Sequence, residues 1–157
     1  KSFLVENCLK FDESLHQSQE YDFHIRALAI NDNYHVVNQP LATMVKHDAN
    51  LSTHILKDDA KVQSNIHVKA KVLSIYEHRL SPATKLKLFE MLTLMYKDVL
   101  LQKNYHLAKE ILKTLRSSLR YVPIKSFEKW VFKLRATLTY FVYRIFGRGY
   151  NLLKPIT

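Results

Sequence analysis

Glycine and proline are nearly missing from this chain, with two and four among 157 residues. A many-turned β-sandwich needs far more of both, so their scarcity excludes turn-rich architectures and favours helix. Cysteine is rarer still. The single Cys8 has no partner for an internal disulfide, and a reducing, cytoplasmic compartment is expected. No stretch approaches the roughly 18 uncharged apolar residues of a membrane span. The segment from Lys1 to Leu9 lacks the apolar core of a secretory signal. Lys1 stands where Met would begin a gene product, so the sequence is expected to be cut from a longer chain. Internal repetition is also lacking, which argues against a helical-repeat solenoid.

What is present suits a folded protein. Hydrophobic residues make up 47% of the chain, and its 157 residues suffice for one domain or for the remnant of one domain plus a small second one. The net charge of +10 is unevenly spread. Residues 1–60 carry five bases against nine acids, a balance of −4, whereas residues 61–157 carry nineteen bases against five acids, a balance of +14. A reversal of that size divides the chain into two modules, 1–57 and 58–157, with different surroundings. The basic module should prefer a polyanion or an anionic membrane surface.

The first module reads as mixed structure. Ser18 is the expected N-cap of a helix running to about Ile30. Asn31-Asp32-Asn33 breaks the pattern, Tyr34–Val37 is strand-like, and Leu41–Val45 forms a second expected strand after Pro40. The second module reads as four helices. Asp58 and Asp59 cap the first, whose apolar positions are Val62, Ile66, Ala70, Leu73 and Leu80. Ser81-Pro82 opens the second, with Leu86, Phe89, Leu92, Tyr96, Val99 and Leu100 as its core face. The third follows Asn104, buries Ala108, Ile111, Leu112, Leu115 and Leu119, and ends before Pro123. Ser126 caps the fourth, from Phe127 to about Phe146, and Gly147 and Gly149 stop it.

The most informative stretch is Phe11-Asp12-Glu13, followed by Ser18-Gln19-Glu20-Tyr21-Asp22-Phe23-His24-Ile25-Arg26. It resembles a segment of bacterial family 2 glycosyltransferases that reads F-D-E and then E-D-[YW]-[DE]-L-x-x-R. Val36–Leu41 is similar to the family's following strand, and Lys46–Ser52 to its R-x-H segment. The likeness covers roughly residues 1–55. It implies the last segment of a GT-A domain, with one helix and short strands, followed by a four-helix C-terminal region: a mainly α fold with an α+β remnant.

The resemblance also implies chemistry. Glu20 matches the family's general base, with Gln19 in place of the preceding acid, and such a base takes the proton of an acceptor hydroxyl as it attacks the sugar's anomeric carbon. A first helical turn suits a carboxylate, since the dipole's positive end lies there. Gln19 and His24 are the implied substrate contacts. Asp22 and Arg26, four apart, are expected to pair along the helix as a structural ion pair. His47 matches a family histidine near the nucleotide's diphosphate and metal. A divalent metal, Mg or Mn, is implied for the complete enzyme, but no D-x-D motif occurs here and the glycine-poor chain offers no phosphate-cradling loop. The nucleotide-sugar half is therefore expected upstream, and these 157 residues alone should be inactive. The complete enzyme would move a sugar from a nucleotide donor to a glycan or lipid-linked acceptor in cell-surface polysaccharide synthesis.

The fourth helix carries a second pattern. Phe127, Trp130, Val131, Leu134, Leu138, Phe141, Val142 and Ile145 share one apolar stripe, flanked by Lys125, Lys129, Lys133, Arg135, Arg144 and Arg148. Such a helix either lies in a membrane interface or packs on its neighbours. Trp130, Phe141, Lys129, Lys133 and Arg144 are the candidate membrane-surface residues, which would place the enzyme peripherally on the inner face of the cell membrane. The alternative is a non-enzymatic basic helical module binding nucleic acid or a partner protein. Its bases are spread over four helices without a reading motif, so no nucleic acid is expected.

Overall fold

The computed structural model describes residues 2–40, 43, 56 and 58–153. Among these residues there are six α-helices, α1 (Ser2–Glu6), α2 (Gln19–Ile30), α3 (Asp59–Ile75), α4 (Pro82–Leu101), α5 (Tyr105–Ser118) and α6 (Ser126–Phe146), joined in places by single 3₁₀ turns. The chain is mainly helical, and no strand occurs among the described residues. Two compact units divide at residue 64, and α3 runs through the division.

Helix boundaries follow local chemistry. Asp58 Oδ1 accepts the backbone N–H groups of Ala60 and Lys61, 3.0 and 3.2 Å away, and so starts α3. Ser81 Oγ accepts the Thr84 N–H at 3.1 Å, with Pro82 in the first turn of α4. Asn104 does the same for Leu107 at the start of α5. For α6 the cap lies one residue earlier than expected: Lys125 is the N-cap, its N–H donates to Glu128 Oε2 at 2.9 Å, and Ser126 is already helical. Gly147 ends α6 in the left-handed conformation, φ 62°. Leu80 lies beyond α3, which stops at Ile75.

The second unit is a helical bundle. Phe89 of α4 meets Phe132 of α6 edge to face with ring centroids 5.0 Å apart. Tyr140 of α6 donates its hydroxyl to the Tyr105 carbonyl at the start of α5, and Arg116 of α5 donates to Thr137 of α6 at 2.6 Å. Leu92, Tyr96 and Leu100 of α4, Ile111 and Leu115 of α5, and Ala136 of α6 are sealed from water. After α6 the chain folds back so that Lys97 donates to the Leu153 carbonyl at 3.2 Å, its ammonium 3.9 Å above the Tyr150 ring.

The expected strand at Tyr34–Val37 is not formed. Its residues run without ladder partners, and Tyr34, Val36 and Val37 are exposed. Strand propensity describes a pleated, half-buried surface, and here there is no described neighbour to provide it. The second expected strand, Leu41–Val45, lies outside the described residues apart from Thr43.

Candidate functional site

In the first unit α2 is held from one side. Arg26 Nε donates to Asp22 Oδ2 at 2.7 Å, and Arg26 Nη2 donates to the Lys10 carbonyl at 2.6 Å. The Asp22 side chain is almost wholly buried and that of Arg26 about a quarter exposed. Phe11 stacks on Phe23, ring centroids 4.7 Å apart, so the guanidinium and the ring pair together dock the preceding loop on α2. The loop folds on itself through Asp12 Oδ1, which accepts the Ser14 N–H, and the His16 N–H donates to Ser64 Oγ at 2.9 Å.

Glu20 lies on the first turn of α2 and is exposed. At about 100° per residue its Cβ points some 160° away from that of Asp22 and 120° from that of Arg26, and about 60° from that of Phe23, so the ion pair lies on the far side of the helix from Glu20 and the Phe23 ring lies between. His24, one turn further and also exposed, follows Glu20 on the open side and touches the Phe23 ring by its edge at 5.9 Å. Tyr21 is next to them, its phenol pushed up by partial burial.

One sequence expectation changes here. Ser18 does not cap α2 with its side chain: its φ of 65° is left-handed, whereas a capping serine sits in the extended region. The Gln19 side-chain amide donates one N–H to the Leu15 carbonyl, leaving its second N–H and its oxygen for other partners. His47 lies outside the described residues. No group of three or more metal-ligating side chains occurs among the described residues, and Asp22 is committed to Arg26, so these residues do not fit a divalent metal site.

On α6 the buried residues are Phe132, Ala136, Thr139, Tyr140 and Tyr143, not the apolar stripe. Trp130 and Phe141 are 59% and 52% exposed, and Lys133 and Arg144 are exposed beside them. Lys129 is turned away from that row: its ammonium donates to the Arg120 carbonyl at 3.1 Å. No described helix is long and apolar enough to cross a membrane.

One feature had no sequence signal. A cavity of about 470 Å³ opens between α3 and the end of α5, lined by His67, Lys71, Ser74, Ser117, Arg120 and Tyr121 among others. Its lining comes from helices far apart in sequence, so no local motif marks it. The Arg120 guanidinium lies over the Tyr121 ring and donates to its hydroxyl.

No protein-family model, curated protein or solved structure matches this chain.

Proposed function

We propose that this chain is the C-terminal part of a family 2 glycosyltransferase with a GT-A domain, moving a sugar from a nucleotide donor to a glycan or lipid-linked acceptor. The observation that carries the reading is Glu20: a solvent-open carboxylate on the first turn of a helix whose opposite face is fixed by the Asp22–Arg26–Lys10 clamp. A general base must be both reachable and held in place, and α2 supplies both conditions. The order Phe11-Asp12-Glu13, Glu20, Asp22, Arg26 supports it independently, because the ion pair and the phenylalanine stack join these motif segments in space.

In this reading the Glu20 carboxylate takes the proton from the acceptor hydroxyl while that oxygen bonds to the anomeric carbon. The bond from that carbon to the donor's phosphate oxygen breaks, its electron pair leaves on the nucleoside diphosphate, and the anomeric configuration inverts. His24 borders the acceptor. Gln19, which keeps one amide N–H and its oxygen beyond the Leu15 contact, borders it as well. Donor and metal are held by residues upstream.

The test is Glu20→Gln in the complete protein, with sugar transfer and nucleotide-sugar binding both measured. Loss of a positioned base should slow transfer by roughly 10²–10⁴-fold. Donor affinity should be retained. Near-normal turnover would remove Glu20 from the site.

A further inference from the structure

Helix α6 is apolar on two sides. One side, with Phe132, Ala136 and Tyr143, is buried in the bundle. On the other, Phe127, Trp130, Leu134, Leu138, Phe141 and Ile145 recur at intervals of three and four, and all six are exposed. At about 100° per residue they fall in a band roughly 80° wide and about 27 Å long. Phe127 and Trp130 stack within it, ring centroids 6.2 Å apart. A contiguous apolar row of this length on a surface marks an interaction site.

Charge identifies the occupant. Lys133 and Arg144 lie about 80–100° to one side of the band and Arg135 about 100° to the other. None of these three forms an ion pair among the described residues. The helix's one acid, Glu128, sits at its N-terminus and accepts the Lys125 N–H. Residues 65–157 carry eighteen bases against five acids. Unneutralised cations on both rims of an apolar ridge match phosphate headgroups on both sides of a shallowly inserted helix.

We propose that α6 docks in the plane of an anionic lipid surface, inserting Phe127, Trp130, Leu134, Leu138, Phe141 and Ile145 between headgroups, with Lys133, Arg135 and Arg144 on the phosphates. Lys129 takes no part, being held by Arg120. The docking stands on α6 alone and is independent of Glu20.

Trp130 is the chain's single tryptophan and sits in the band, so it reports insertion directly. Phosphatidylcholine vesicles with phosphatidylglycerol should shift its emission to the blue, and brominated acyl chains should quench it. Phosphatidylcholine alone should do so far less, and added salt should weaken the effect, because exposed charges are screened over about 8–10 Å at physiological ionic strength. Lys133→Gln with Arg144→Gln should lower partitioning onto the anionic vesicles roughly 10- to 30-fold. Leu138→Ser with Phe141→Ser should lower it at low salt as well, and circular dichroism should remain native because both side chains are exposed. The proposal is overturned by unchanged Trp130 emission at saturating lipid, by equal binding to neutral and anionic vesicles, or by a solution dimer that Phe141→Ser dissociates and vesicles do not compete with.

Discussion

The Tyr96 hydroxyl of α4 donates to the Ala136 carbonyl of α6 at 2.9 Å, where neither residue meets water. The contact ties two helices through a backbone oxygen that the α6 hydrogen-bond ladder also uses. It leaves the phenol in a setting that strongly disfavours its anion. Burial raises the Tyr96 pKa far above the ordinary tyrosine value, the Tyr140 phenol adds to this, and Arg116 only partly offsets it.

Alkaline titration should expose that relationship. The folded state holds its Tyr96 proton above pH 10 while the unfolded state gives it up, so the unfolded chain binds fewer protons and stability falls as pH rises beyond about 10. Below that pH the contribution is fully present. Urea denaturation across this range should show the decline, and Tyr96→Phe should flatten it at a cost of about 0.5–1.5 kcal/mol near neutral pH. An unchanged slope in the variant would assign the alkaline loss to another group.

Arg26→Ala should loosen α2. Removing the guanidinium takes the Arg26 charge from a buried carboxylate, and because Arg26 is itself partly exposed the cost should be roughly 2–3 kcal/mol, below that of a fully buried pair. Hydrogen exchange of the amides in Gln19–Ile30 should quicken while that of α4 and α5 stays as in the parent. Arg26→Lys should fall between, since it keeps charge but lacks the fork that reaches both Asp22 and Lys10.

The two glycines should differ on substitution. Gly147→Ala meets no atom within 4 Å and bears only the left-handed backbone cost, about 1 kcal/mol. Gly149→Ala, at φ 114°, would bring its new Cβ to 2.9 Å from Val142 Cγ1, and should cost more, roughly 2–3 kcal/mol. Thermal denaturation of the two variants should rank them in that order.

Cap removal gives a calibrated pair. Ser81→Ala and Asn104→Ala each delete a side-chain acceptor at a helix start, and each should cost about 1 kcal/mol in urea denaturation. A negligible effect at Ser81 would mean that Pro82 alone defines the entry to α4.

These starts were readable in the sequence because capping is local: Asp58, Ser81 and Asn104 act within three residues of themselves. The faces of α4 and α5 were readable too, since Phe89, Leu92, Tyr96, Ile111 and Leu115 keep one helical period. The inward side of α6 was not. Its apolar stripe obeys the same period, yet Phe132, Ala136 and Tyr143 do the packing, and only the partners Phe89 and Tyr96 decide between the two faces. Tyr34–Val37 misled for a related reason, because a strand exists only with a neighbour. At α2, the motif located Glu20 on the first turn, but the backbone at Ser18 and the inward turn of the Gln19 amide depend on how the loop closes.

Lys97 adds an order of events. Its ammonium lies within α4, yet the carbonyl and ring that receive it belong to Leu153 and Tyr150. As the ribosome makes the chain from its N-terminus, α4 emerges before those acceptors exist, and α5 and α6 must follow first. A nascent bundle therefore carries a cation it cannot yet enclose, and closure of that corner waits on the final turn after α6.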